Sequence, residues 1–284
     1  MRLILDTNQV NSLRTTPAPD GVYPVIVVPP MTWAETLGSP HYAVERLHSV
    51  AEHNIRFGMD VFTIYERLRE LTEDEIAKFD PVYAVDSIEH RRLLAGLLSP
   101  TAEHWKRAAE LKAMAAQYAV DIQAKIAKSR KRQLDAKSRG ETPEVGSWSD
   151  IDAADHRVIS GPEASYRLAF INDITEGGSL PIAAASGDSL YDAVLRNPAL
   201  RRFIRTQAIV LFGYAETWGD SLLNVSVAPT RNDFPDIMLT LFARDGDVIL
   251  VKDGKFRRAF RHGDADMKVG LQTWETWARG DSAA

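Results

Sequence analysis

The sequence predicts an α/β fold, a small parallel sheet flanked by helices, with a large, mostly helical insertion. Three observations carry that class. The runs RLILD (2–6), VIVVPP (25–30) and DVILVKD (247–253) are apolar without alternation, as strands buried on both faces are. Helical patterns follow them, and strand–helix–strand order implies parallel pairing. Between the chain ends, from about Ser39 to about Thr206, helical periodicity is nearly unbroken. The core is therefore expected from residues 1–60 and 206–284, and the insertion from 61–205.

Taken in order, residues 2–6 form the first strand and Asn8–Arg14 a short helix. The Pro-rich loop TTPAPDGVYP leads to VIVVPP, a β-branched strand stopped by Pro29 and Pro30. MTWAETLG is a helix closed by Gly38. Ser99 as N-cap and Pro100 at the first helical position begin a long helix. Its apolar face runs through Trp105, Ala108, Leu111, Ala115, Tyr118, Ile122 and Ile126. Residues 140–149 read as a loop, helices resume at Asp150, and LPIAAAS (180–186) is a candidate strand. Near the end, AIVLF (208–212) reads as a strand and RNDFPDIMLTLFARDG (231–246) as an amphipathic helix. Residues 247–253 form another strand, and VGLQTWETW (269–277) a last strand or helix.

Composition narrows the function classes. The chain has 284 residues, 45% hydrophobic and 26% charged, enough for a sizeable core. It holds no cysteine, which removes disulfides, thiolate nucleophiles and thiolate metal sites. Asp6 interrupts the first apolar run too early for a signal peptide, and no apolar stretch approaches the ~20 residues that span a bilayer. A cytoplasmic protein is expected, with no membrane contact. The net charge of −5 gives no general affinity for nucleic acid, so such binding must come from local patches.

Four carboxylates stand at matching places. Asp6 and Asp253 each end an apolar strand, and in open parallel sheets ligands bind at the carboxyl edge of the strands. Glu35 and Asp236 each sit in the first turn of a helix that follows a loop, and such helices begin at that same edge. Clustered carboxylates raise one another's pKa unless a cation intervenes, and an all-oxygen set suits Mg²⁺ or Mn²⁺. Such ions generate hydroxide at neutral pH and stabilise charge on a transferring phosphoryl group.

LILDTN, VVPPMTWAE, FPDIMLTLFA and VILVKDGKF, in that order, resemble the PIN-domain nucleases. The family's pattern is strand–Asp–Thr–Asn, a helix-borne Glu, a helix-initial Asp, and a strand–Asp followed by Phe. Asp236 and Asp253, 17 residues apart, leave room for one helix and one strand. The likeness covers residues 1–38 and 230–277, and Val251 stands where the family commonly has Ser or Thr. It implies a PIN-like core and a metal-dependent endoribonuclease. Asp6, Glu35, Asp236 and Asp253 would hold Mg²⁺ or Mn²⁺, with Asn8 orienting a ligand or water and Asp233 as an auxiliary acid. The substrate would be RNA or single-stranded DNA, and the insertion would select it or meet an inhibitory protein.

Other readings stand beside these. Thr32 and Glu35 fit a capping box, Asp236 complements a helix dipole with Asn232 or Asp233 as cap, and Asp253 could open a turn through Gly254. Trp33 could stack a base or pack in the core. Residues 125–139 hold seven Lys/Arg against one Asp, a solvated face or a phosphate-binding patch through Arg130, Lys131 and Arg132. Lys252 and Lys255 flank Asp253 and are further phosphate-binding candidates. SGDSLYDAV (186–194) matches the GDxxxD motif of haloacid dehalogenase-like phosphatases, but Asn8 replaces their second catalytic Asp. Asp188 is alternatively an auxiliary acid of the nuclease site. The acidic run DIDAADHR (150–157) has no assigned role. A degenerate PIN-like module that binds RNA without cutting it is the non-enzymatic alternative.

Overall fold

Five short strands meet in one parallel sheet: β1 (Arg2–Leu5), β2 (Val25–Val28), β3 (Asn54–Phe57), β4 (Val248–Leu250) and β5 (Gly270–Gln272). Their order across the sheet is β3-β2-β1-β4-β5. The computed structural model describes residues 1–37, 43–140, 187–216, 232–263 and 268–280. In register, Leu3 faces both Ile26 and Val248, and Leu5 faces Leu250. The direction of strand addition reverses between β1 and β4. That switch point is where an open α/β sheet leaves a crevice beyond its carboxyl ends.

The apolar strand runs explain the sheet. Leu3, Ile4, Leu5, Ile26, Val27, Ile249 and Leu250 are all fully buried, as strands covered by helices on both faces must be. Helices follow the strands. These are α1 (Val10–Thr15, after a 3₁₀ turn at Thr7–Gln9), α2 (Pro30–Leu37), α3 (Ala43–Ala51), α4 (Val61–Glu70), α5 (Glu73–Lys78) and α6 (Ile88–Leu98). The inserted helix α7 (Ala102–Ser138) packs along α2. Its Ala108, Leu111, Ala115 and Ala119 are buried, one stripe at helical spacing. Then come α8 (Gly187–Arg196), α9 (Pro198–Glu216), α10 (Asp233–Met238) with a 3₁₀ turn at Leu239–Phe242, α11 (Gly254–Gly263) and α12 (Trp274–Ala278). Among the described residues no helix is long and apolar enough to cross a membrane.

Several expectations are corrected. AIVLF is not a strand: it continues α9, which packs on α11. A five-residue apolar run cannot by itself distinguish a strand from a buried helix segment. The helix α9 also runs through the 205/206 boundary without a break. Conversely NIRF, inside the supposedly helical region, is the strand β3, paired with β2 over four residues. The inserted helix begins at Ala102, not at Pro100, because Ser99 is the C-cap of α6. The amphipathic stretch at 231–246 contracts to α10 and its 3₁₀ extension, with Gly246 in a positive-φ turn (85°) before β4. Residues 269–277 supply both a strand and a helix, β5 then α12, with Thr273 as the N-cap. LPIAAAS, DIDAADHR and the loop from 141 to 149 lie outside the described residues.

Candidate carboxylate site

The amide of Asp6 donates to the carbonyl of Leu250 (3.2 Å), so the chain leaves β1 hydrogen-bonded to the end of β4. Asp6 itself is 9% exposed, and its Oδ2 is buried without a hydrogen-bond partner. Burial pushes its pKa up from 3.8 to about 6, against the pull of backbone amides at Thr7 and Asn8, and Glu35 and Asp253 push it further. Asp236, in the first turn of α10, is pushed up to about 8. Burial is again the main cause, followed by the charges of Asp6, Asp253, Asp233 and Glu35. The four sequence-predicted acids and the auxiliary Asp233 thus act on one another at one edge of the sheet.

The local structure decides between the alternatives at each acid. Thr32 is no cap: its hydroxyl donates to the carbonyl of Leu5 (2.7 Å) inside α2, which starts at Pro30. Glu35 is therefore half-buried in the second turn of α2 and not in its first, as the sequence suggested, with no capping task to explain it. No side-chain hydrogen bond caps α10 from Asn232. Asp253 does have a structural role, since its Oδ1 accepts the amide of Phe256 (2.6 Å) at the start of α11. Its side chain is exposed, leaving the other carboxylate oxygen available. Asn8 is exposed and accepts a hydrogen bond from Gln9 Nε2 (2.8 Å).

The other candidates fall differently. Lys252 pairs with Glu275 (3.4 Å) across a partly exposed contact. Lys131 is exposed on α7. The side chains of Arg130, Arg132, Lys255 and Asp188 lie outside the described residues, although Asp188 belongs to α8, which packs on α5. Trp33 is core: it is 1% exposed and its Nε1 donates to the carbonyl of Leu93 (3.2 Å).

Two acids at the same edge were missed by sequence reasoning. Asp60 follows β3 as Asp253 follows β4, and the pattern NIRFGMD carries the same strand-then-acid signal. It is buried, caps α4 through Thr63, and takes Arg107 of the inserted helix at 2.5 Å. Glu275 accepts the Ser12 hydroxyl (2.6 Å), a contact that holds its carboxyl down at about 2. Nothing in the sequence spacing links residues 263 positions apart.

The donor chemistry fits a hard divalent cation: oxygen ligands only, a buried carboxylate oxygen without a partner, and acids raised chiefly by burial and further by one another's charge. Among the described residues, no three His, Cys, Asp or Glu side chains are already gathered as a ligand shell. The chain matches no protein-family description, no curated protein and no solved structure. The class defined by fold and site is accordingly a parallel α/β protein with acids clustered at its sheet switch point.

Proposed function

We propose that the protein is a PIN-like, Mg²⁺- or Mn²⁺-dependent nuclease acting on RNA. The observation that carries this reading is Asp236, raised to about 8 by burial and by four neighbouring acids. Such a group must be neutralised at physiological pH, by a proton or by a metal ion. Asp6, Glu35, Asp236 and Asp253 would hold the ion, with Asp233 and Asn8 beside them. When bound, it supplies hydroxide at neutral pH and stabilises charge on the phosphoryl group. The core from both chain ends carries this site, and the insertion selects substrate or meets an inhibitory partner. A cytoplasmic setting fits this role.

One observation favours a second reading. Because no ligand shell is preassembled among the described residues, a degenerate PIN-like module that binds RNA without cutting it is the competing proposal. Incubation with single-stranded and structured RNA, with Mg²⁺, Mn²⁺ or chelator, separates them. Metal-dependent cleavage abolished by Asp236→Asn supports the nuclease. Absence of cleavage in every metal removes it in favour of the module, and hydrolysis of a small phosphomonoester instead would favour the phosphatase-like alternative.

A further inference from the structure

Between α2 and the inserted helix α7 lies a recess of about 280 Å³. Its walls are Met31 and Glu35 from α2, Lys112, Ala115 and Ala116 from α7, and Asn232 just before α10. The recess adjoins the carboxylate cluster on two sides. Glu35 acts directly on Asp6 and Asp236, and Asn232 immediately precedes Asp233. Lys112 is the single cation of the lining, and among the described residues no carboxylate stands within ion-pair distance of it. Two small side chains keep the space open: Ala115 is buried, and Ala116 is exposed beside it.

We propose that Lys112 is a substrate-binding residue, its ammonium taking a phosphate oxygen of a single-stranded polynucleotide seated in this recess. The inference rests on the nuclease reading, and extends it to a residue of the insertion. The metal of the nuclease reading offsets the acids at the sheet edge, but a strand running on past Glu35 carries further phosphates, and a lysine in the recess gives one of them a cation of its own. Lys252 is engaged by Glu275, whereas Lys112 faces the recess beside Glu35. Lysine binds phosphate as a point charge, so the contact needs a cation at this place and no particular bidentate geometry. At about 280 Å³ the recess is close to the lower end of small-ligand sites, roughly 300–1,000 Å³, a size for one phosphate with its sugar.

The test is binding of a short fluorescein-labelled oligouridylate, with Ca²⁺ replacing Mg²⁺, to parent, Lys112→Ala, Lys112→Arg and Ala116→Trp. Lys112→Ala should bind about tenfold more weakly. Its log–log salt slope should flatten by about 0.7, the signature of one lost phosphate contact on a single strand. Lys112→Arg should retain affinity. Ala116→Trp, which fills the recess and keeps the charge, should weaken binding as well. A matching oligodeoxynucleotide should show the same loss, because lysine reads phosphate and not the 2′-hydroxyl. A melting scan confirms that each variant is folded, and Lys112→Gln replaces any that is not. Unchanged affinity and slope in folded Lys112→Ala would overturn the proposal, as would a loss confined to RNA. A parent that binds the strand through Lys112 but never cleaves would remove the nuclease reading alone. A parent that binds no strand removes the proposal.

Discussion

Asp6 donates its backbone amide to Leu250 at 3.2 Å, and this bond carries the β1–β4 pairing to the carboxyl edge of the sheet. Asp253 lies three residues beyond Leu250, so the crevice at the sheet's switch point brings two separated chain segments together. Helix α10 enters between them in sequence, and Asp236 feels both acids. The electrostatic state of the site follows from that topology, and it has measurable consequences.

The first is a pH dependence. Asp236 ionises near 3.8 in the unfolded chain and near 8 in the folded one. Across that window the folded state holds a proton that the unfolded state has lost. Its contribution to stability is therefore complete below about pH 4 and falls as pH rises toward 8. The slope is about 1.4 kcal/mol per pH unit for one linked proton. Asp236→Asn removes one titrating group, so in chelator the variant should be more stable than the parent at pH 8. It should lose the slope between about pH 6 and 8, while Asp6, raised to about 6, keeps its own share below that. Urea unfolding at several pH values measures both. Parent and Asp236→Asn stabilities that run parallel from pH 6 to 8 would contradict the assignment.

A divalent cation should reverse that penalty. Mn²⁺ binding to the folded state alone raises stability by RT ln(1 + [L]/Kd), about 2.7 kcal/mol at a hundredfold excess over Kd. The parent should melt higher in Mn²⁺ than in chelator at pH 8, and the gain should shrink as pH falls and protons compete for Asp6 and Asp236. Asp236→Asn should gain little. Equal melting shifts in parent and variant would place the metal elsewhere.

How much of this was legible in the sequence depends on the range of each signal. Asp6 and Asp253 were readable because a carboxylate after an unbroken apolar run is a local pattern. Asp60 shows the same pattern in NIRFGMD, yet it follows a short strand embedded among helices, where periodicity hides a four-residue element. AIVLF failed in the opposite direction: its apolar run is part of α9, and five apolar residues in a row fit a helix as well as a strand. The capping-box reading of Thr32 failed because a hydroxyl at that position found the Leu5 carbonyl, a partner 27 residues away. Lys112 carried no sequence signal, since its place beside Glu35 depends on how α7 crosses α2.

Gly58 offers a check on packing behind the site. It follows β3, and a Cβ there would stand 2.5 Å from Cε1 of the Phe242 ring, with two more ring carbons within 2.9 Å. Phe242 is itself fully buried, so the ring has little room to yield. Gly58→Ala should cost about 1–3 kcal/mol, read as a shifted urea midpoint with unchanged slope. A neutral substitution would show that the β3–Phe242 contact is looser than the geometry implies.

Asp60 and Arg107 join the inserted helix to the sheet edge, and a double-mutant cycle measures that join. Asp60 is buried and has three donors: the amide of Thr63 (3.1 Å), its hydroxyl (3.0 Å) and Arg107 (2.5 Å). Removing the carboxylate takes away a helix cap, worth about 1 kcal/mol, together with charge-assisted bonds of about 1.5–3 kcal/mol. Asp60→Ala should therefore destabilise by roughly 2–4 kcal/mol. Arg107 is largely exposed and its ion pair is partly screened by water, so Arg107→Ala should cost about 1 kcal/mol. The asymmetry arises because Arg107→Ala leaves Asp60 its two Thr63 bonds, whereas Asp60→Ala leaves the start of α4 without its cap. The double variant should then lose less than the sum, by an interaction energy of about 0.5–1 kcal/mol. Strict additivity would mean that the contact contributes nothing to anchoring α7. In that case the inserted helix is held beside Glu35 by its buried alanine and leucine stripe, by the stacking of Tyr118 on Phe234 and by its packing on α9 and α10, without help from Arg107.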